Sequence, residues 1–330
     1  MAKLLKQKKM EDSAMNNRRT FIKKTISGSL AIGALGFPLD AIGASKTEKI
    51  TILHTNDVHS QIEPFPSDHK TFPGQGGIAY RASIIEKIRN TEKNVLLLDA
   101  GDIFQGTPYF NLFGGEVEFK LMSKLGYDVA TLGNHDFDLG IDNLVKQLPN
   151  ALFSFVNCNY DFSKTALKDK ILPYKIIKKG KLKIGILGVG IELNGLVPDK
   201  HFKGIVYQHP IKCVQKYADI LKNDEKCHLI ICLSHLGNKY DDKEKVSDEW
   251  LAQGTRNIDL IIGGHTHTFL EKPISYKNLD DKTVIVNQVG WAGVNMGRID
   301  FSFEKKLKKN SVFGQTVIVD KKSSTNEFFL

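Results

Sequence analysis

"TLGNHDFDLG" occupies residues 131–140 and follows a short apolar stretch that ends a predicted β-strand. Within five residues it presents an amide, an imidazole and two carboxylates, at Asn134, His135, Asp136 and Asp138. Polar residues placed directly after a buried strand favour a functional site, so the ends of the other predicted strands are relevant to the same question.

Short apolar runs alternate with amphipathic stretches along most of the chain. This alternation predicts a layered α/β fold, and the continuously apolar runs predict strands that are covered on both faces. We find no internal repeat or low-complexity linker, so a single domain is expected over residues 45–330. The predicted strands cover residues 49–55, 94–101, 128–133, 152–157, 181–189, 228–235, 258–264, 283–290 and 297–304. The predicted helices cover residues 77–90, 116–126, 208–224 and 244–254.

Five of the predicted strands are followed directly by His, Asp or Asn residues. Ligands of open α/β sheets bind beyond the carboxyl ends of the strands. Asp57 and His59 are two positions apart, as are His265 and His267. In an extended segment, side chains at this spacing point the same way. Such a mixture of imidazole, carboxylate and amide groups favours Zn²⁺, Mn²⁺ or Fe²⁺ over Ca²⁺. The candidate metal ligands are Asp57, His59, Asp102, Asn134, His235, His265 and His267.

Each of these positions has a simpler interpretation when it is taken alone. An Asp-x-His pair at residues 57–59 can arise by chance, and Asp102 can cap a helix. His235 is equally compatible with a hydrogen-bonded core histidine, and Asp138 with a turn residue before Gly140. The convergence of five strand ends favours one shared site over five separate coincidences. The neighbouring Asp99 and Asp136 are expected to have structural roles.

The order of these motifs resembles the metallophosphoesterase superfamily: D-x-H, G-D, G-N-H-[DE], a single His, and G-H-x-H. Longer stretches are similar to the catalytic domain of the bacterial 5′-nucleotidase and UDP-sugar hydrolase family. They are "ILHTNDVHS", "DAGDIFQGTPYFNLFGGE", "LGYDVATLGNHDFDLG", "LSHLG", "GGHTHT" and "NQVGWAGVNMGRIDF". The similarity extends from about Ile50 to Phe303. It implies a single-domain, four-layer α/β/β/α sandwich around two divalent metal ions, with Zn²⁺ or Mn²⁺ expected.

The resemblance also implies a role for each matching residue. One ion would be bound by Asp57, His59 and His267, and the other by Asn134, His235 and His265, with Asp102 bridging both. His135 would be the catalytic histidine and Asp138 the carboxylate that orients it. The implied reaction is hydrolysis of nucleoside 5′-monophosphates by a metal-activated water. Broad phosphatase, nucleotide-sugar diphosphatase and cyclic phosphodiesterase activities are alternatives.

The sequence departs from two-domain members of the family after about Phe303. In those members a second, C-terminal domain carries most of the nucleoside-recognising residues, and we expect that domain to be absent here. The alternative to a self-sufficient nucleotidase is therefore a catalytic subunit that needs a separate specificity-domain polypeptide.

Residues 1–44 have the layout of an export signal, with a basic region, a moderately apolar run and small residues. Arg18 and Arg19, followed by "TFIKK", resemble a twin-arginine signal. A basic amphipathic helix is the alternative, but Gly28, Gly33 and Gly36 disfavour it. We expect export to the periplasm or cell envelope, with no stable membrane span after removal of the signal.

The net charge does not indicate nucleic-acid binding. More than half of the formal +9 lies within residues 1–44, which hold eight basic and three acidic residues. We therefore expect no nucleic-acid polymer as partner. The substrate that the resemblance implies is a nucleotide or another small phosphate ester. The four cysteines lack the paired short spacing of zinc ribbons or redox motifs.

Overall fold

Two six-stranded sheets form the centre of the protein. A computed structural model describes residues 47–242 and 244–325. In spatial order, the first sheet contains β14 (Lys309–Ile318), β13 (Asn295–Phe303), β1 (Glu48–Thr55), β2 (Val95–Asp99), β3 (Val129–Ala130) and β4 (Ser154–Phe155). The second contains β11 (Ile274–Lys277), β12 (Thr283–Asn287), β10 (Leu260–Gly263), β9 (Leu229–His235), β7 (Leu182–Gly190) and β6 (Tyr174–Lys179). A separate pair is formed by β5 (Tyr160–Asp161) and β8 (Val206–Tyr207).

The central strands of each sheet run parallel to one another. In the first sheet, β1 to β4 are parallel, and β13 runs antiparallel to β1. In the second sheet, β7, β9, β10 and β12 are parallel, and the edge strands β6 and β11 are antiparallel. Because parallel neighbours end on the same side, the loops that follow them lie together at one edge of each sheet.

Seven α-helices complete the described fold. They are α1 (Ile78–Thr91), α2 (Pro108–Phe113), α3 (Glu116–Leu125), α4 (Gly140–Gln147), α5 (Pro210–Asp219), α6 (Asp248–Gly254) and α7 (Lys321–Thr325). The starts of α2 and α6 follow from their caps: the hydroxyl of Thr107 accepts from the amide of Tyr109, and that of Ser247 accepts from the amide of Trp250. Proline at the first position of α2 and α5 also favours a helix start there.

Three apolar clusters define the order of the layers. The first packs α1 and α3 against the outer face of the first sheet, with Ile85 and Phe119 buried in it. The second lies between the sheets and includes Ile52 and Ile231. The third packs α5 and α6 on the second sheet and includes Leu251. The predicted four-layer α/β/β/α sandwich is confirmed.

The differences from the predicted elements occur mainly where the chain leaves a sheet. The strand expected over residues 128–133 is only two residues long, Val129–Ala130. After it, Gly133 lies so close to Asp102 that a side chain on Gly133 would overlap it. The helix expected over residues 208–224 continues past Asp219 as a π-helical turn. The edge strands β6, β11 and β14 were not predicted. Lysines interrupt the apolar run of β6, and the first five residues of β14 are exposed.

The predictions of export and of no stable membrane span after removal of the signal are not decided by these elements. Among the described residues, no helix combines the length and the apolar composition needed to cross a membrane. The export signal predicted over residues 1–44 lies outside the described residues and stays a prediction.

Candidate metal centre

The nine residues singled out in the sequence lie together at the carboxyl ends of the central strands. Both sheets contribute: three loops come from the first sheet and two strand ends from the second. Asp57 and His59 follow β1, Asp102 follows β2, and Asn134, His135 and Asp138 follow β3. His235 is the last residue of β9, and His265 and His267 follow β10.

A first group of possible metal ligands consists of Asp57, His59 and His267. Their ligand atoms all lie within 4.8 Å of one another. Nε2 of His59 is 3.0 Å from Nε2 of His267, which is 3.5 Å from Oδ1 of Asp57. Nδ1 of His59 lies 3.2 Å from the carbonyl oxygen of Phe104 and can donate to it, which leaves a lone pair on Nε2. Nitrogen lone pairs that face a carboxylate at this distance suit a shared cation.

A second group adjoins the first and consists of Asp102, His235 and His265, with ligand atoms again within 4.8 Å. The amide oxygen of Asn134 is 2.8 Å from Nδ1 of His265 and extends this group. Nδ1 of His235 donates to the carbonyl oxygen of Ala100 at 2.7 Å, so its Nε2 is free to act as a ligand. That Nε2 is buried and faces the carboxylate of Asp102.

Asp102 lies between the two groups. Its Oδ2 is 3.1 Å from Nε2 of His235 in the second group and 3.8 Å from Nε2 of His59 in the first. The side chain is almost completely buried. The structure therefore contains two adjoining groups that could each hold a metal ion, with one carboxylate close to both.

The pKa shifts at this centre follow from burial and from the Asp102–His235 pair. Burial raises the pKa of Asp57 to about 8 and lowers that of His265 to about 3 and of His267 to about 4. Burial also disfavours the charged form of His235, but the carboxylate of Asp102 outweighs this and raises its pKa to about 10. A divalent cation would favour the carboxylate of Asp57 and the neutral imidazoles. The donor set thus fits a pair of transition-metal ions.

The backbone adopts unusual conformations at the candidate ligands. Five of the seven have positive φ angles, at 50° for Asp57, 50° for His59, 55° for Asp102, 73° for His265 and 51° for His267. Outside glycine this region costs on the order of 1–3 kcal/mol per residue and is concentrated at functional sites. The conformations are held by hydrogen bonds such as the one from the amide of His265 to Oδ1 of Asp57, at 2.9 Å.

Two further polar residues hold the loops in place. Asp136, expected from the sequence to be structural, accepts hydrogen bonds of 2.8–3.1 Å from four amides, those of Asp102, Ile103, Phe104 and Gly133. Asn56 was not identified from the sequence. Its amide group donates to Oδ2 of Asp57 at 2.6 Å and to the carbonyl oxygen of Gly290 at 2.7 Å. The only sequence signal for Asn56 is its position directly before Asp57.

His135 and Asp138 form a pair beside the first group. Nδ1 of His135 is 2.9 Å from Oδ2 of Asp138, and this hydrogen bond raises the pKa of His135. The imidazole ring lies 5.3 Å from the ring of His59, measured between centroids. The main-chain amide of His135 donates to Oδ1 of Asp102 at 2.8 Å. The side chain is 35% exposed, so a molecule from solvent can reach it.

Two adjoining histidine–carboxylate groups at the strand ends of a two-sheet sandwich are the arrangement of a metal-dependent hydrolase. Comparison with known families agrees with this class. The family of calcineurin-like phosphoesterases matches residues 50–269, and the chain belongs to this family. The resemblance inferred from the motifs is confirmed.

Several relatives are 5′-nucleotidases. The chain is 32% identical to the snake venom 5′-nucleotidase of Gloydius brevicauda, over 90% of this chain and 53% of the relative. It is also 32% identical to the 5′-nucleotidase of Vibrio cholerae, over 86% of this chain and 54% of the relative. The crystal structure of the 5′-nucleotidase precursor from Thermus thermophilus superposes with a TM-score of 0.75 at 30% identity, covering 86% of this chain and 57% of that one. The chain spans about half the length of the curated relatives it matches.

Proposed function

We propose that the protein is a two-metal phosphomonoesterase that converts nucleoside 5′-monophosphates to nucleosides and phosphate. The observation that carries the proposal is the position of Asp102 between two groups of possible ligands, with the partly exposed His135 beside them. The names of the relatives support the nucleotide as substrate.

The ligand assignment follows the two groups. One ion would be held by Asp57, His59 and His267, the other by Asn134, His235 and His265, with Asp102 shared between them. The mixed nitrogen and oxygen donors favour Zn²⁺ or Mn²⁺. Two bound ions would supply a more acidic water and positive charge against the phosphoryl oxygens.

The chain's own residues position and neutralise the reacting groups. Asn56 and the amide of His265 hold the carboxylate of Asp57 in one orientation. Asp138 holds Nδ1 of His135, which leaves Nε2 to face the substrate. In its protonated form, His135 stabilises negative charge on the phosphoryl group or donates a proton to the leaving oxygen.

The substrate test is a panel of phosphate esters on the metal-reconstituted protein. We expect release of phosphate from AMP, with activity lost on removal of the metal and restored by Zn²⁺ or Mn²⁺. The panel also contains UDP-glucose, a cyclic nucleotide and p-nitrophenyl phosphate, with kcat/KM measured for each. Cleavage of UDP-glucose or the cyclic nucleotide with AMP left intact would instead support a nucleotide-sugar diphosphatase or a cyclic phosphodiesterase. Indiscriminate cleavage would support a broad phosphatase.

A separate specificity polypeptide is the remaining alternative for substrate selection. Binding energy from a nucleoside remote from the reacting phosphate raises the rate as well as the affinity. A requirement for such a partner would appear as a high KM for AMP with the chain alone. Addition of a polypeptide that resembles the second half of the relatives would then lower this KM. A kcat/KM near roughly 10⁶ M⁻¹s⁻¹ for AMP without any partner argues against the requirement.

Export by the twin-arginine route is proposed from the sequence of residues 1–44. Conversion of both Arg18 and Arg19 to Lys should leave the protein in the cytoplasm, because the pair is the feature that this route reads. Cell fractionation followed by immunodetection measures the distribution. Continued export in cells where only the general secretory route operates would contradict the assignment.

A further inference from the structure

A cluster of aromatic side chains adjoins the metal centre on the side of His267. The ring of Trp291 is nearly parallel to that of His267, at an interplanar angle of 10° and a centroid distance of 5.8 Å. Phe65 and Phe72 lie with their rings 6.1 Å and 6.4 Å from that of Trp291. Phe269 stacks on Phe72 at 5.7 Å. We call the four residues Phe65, Phe72, Phe269 and Trp291 the aromatic shelf.

The shelf is not part of the three apolar cores. None of its four residues belongs to the clusters that pack the described sheets and helices. Phe269 is 43% exposed, and the other three are partly exposed. Large aromatic side chains that remain at the surface next to a site are candidates for ligand contact.

The backbone holds the shelf in a defined arrangement. The loop that bears Phe65 and Phe72 is closed by a hydrogen bond of 2.8 Å from the amide of Phe65 to the carbonyl oxygen of Gln75. Phe269 pairs with Val289 in an isolated antiparallel bridge. Its ring packs directly over Gly290, where any side chain would overlap it. Three distant parts of the chain therefore converge to present these rings.

We propose that the aromatic shelf stacks the planar base of a nucleotide whose phosphate is at the metal centre. This inference rests on the proposed phosphomonoesterase function. His267 belongs to the first ligand group, and its ring also stacks with that of Trp291. The aromatic shelf is therefore directly adjacent to the proposed phosphate site. Every base has a π-face, and stacking on aromatic side chains tolerates different bases. The shelf thus selects nucleotides over phosphate esters without an aromatic ring, and selects little among bases.

The kinetic test compares AMP with ribose 5-phosphate, which lacks the base. Phe269→Ala and Phe72→Ala should each lower kcat/KM for AMP roughly tenfold, mainly through KM, and leave ribose 5-phosphate unchanged. The matched control is Phe313→Ala, because Phe313 is a 59% exposed phenylalanine on β14 outside the shelf. Equal losses on both substrates would mean that the shelf only supports the fold of the site. Unchanged values for AMP would also overturn the inference.

A binding measurement separates the shelf from the catalytic proposal. The chain has two tryptophans, so Trp250→Phe leaves Trp291 as the sole tryptophan. Adenosine, which has no phosphate to hydrolyse, should quench its fluorescence with saturation, and Phe269→Ala should weaken that binding roughly tenfold. Saturable quenching in a protein that hydrolyses neither ester would uphold the shelf and refute the proposed function. Hydrolysis of AMP without quenching by adenosine would refute the shelf and leave the function standing.

Discussion

Asp102→Ala should abolish most of the activity and lower the metal content of the protein. Oδ2 of Asp102 lies close to His235 in one ligand group and to His59 in the other, so its loss affects both proposed ions. Charge stabilisation by metal ions is worth several kcal/mol, and we expect kcat/KM for AMP to fall by roughly a thousandfold or more. Elemental analysis after reconstitution, together with steady-state kinetics, measures both effects.

Controls are needed because removal of a buried carboxylate can also destabilise the fold. Asp102 accepts a hydrogen bond from the amide of His135, and His235 would lose its charged partner. Asp102→Asn keeps an acceptor at this position, and Asp300→Ala removes a carboxylate from an ion-paired site on β13. Thermal unfolding followed by circular dichroism reports the stability of each variant. A folded Asp102→Ala protein with two ions and nearly normal activity would contradict the shared-ligand assignment.

The layered fold and the edge of the sheets that carries the site could be predicted from local sequence. Each relevant strand is a short apolar run, and the polar residues follow it within a few positions. His235 illustrates this, since the predicted strand 228–235 ends on it as β9 does. Because parallel strands place their carboxyl ends together, the motifs of one sheet are expected at one edge. That the edges of the two sheets meet is seen only in the structure, where Asn134 of the first sheet lies 2.8 Å from His265 of the second.

Local sequence does not contain the contacts between distant segments. The aromatic shelf combines residues from three loops, and none of its rings stands out in its own stretch of sequence. The positive φ angles of Asp57 and His265 likewise depend on each other, because the amide of one bonds to the carboxylate of the other. Gly133, which follows β3, likewise lies so close to Asp102 of a different loop that a side chain on Gly133 would overlap it.

His135→Ala should reduce kcat for AMP by roughly a hundredfold or more, with the metal content almost unchanged. We expect kcat to fall without loss of metal because the side chain and the main chain of His135 make different contacts. Its imidazole pairs with Asp138 and lies beside the first ligand group. Its main-chain amide, which alanine retains, donates to Asp102. The variant therefore removes the group that meets the substrate and keeps the group that holds the shared carboxylate.

The choice of substrate shows which task the imidazole of His135 performs. The alcohol leaving group of AMP needs a proton, whereas p-nitrophenolate leaves without one. A larger loss on AMP than on p-nitrophenyl phosphate would assign proton donation, and equal losses would assign charge stabilisation at the phosphoryl group.

Asp138→Asn should give a smaller loss with the same substrate pattern, since Asp138 acts by positioning His135. His209→Ala, at an exposed histidine that precedes α5, is the matched control. Parallel losses of metal and activity in His135→Ala would mean that the residue helps to build the metal centre, and an unchanged kcat would reject any role for it in the reaction.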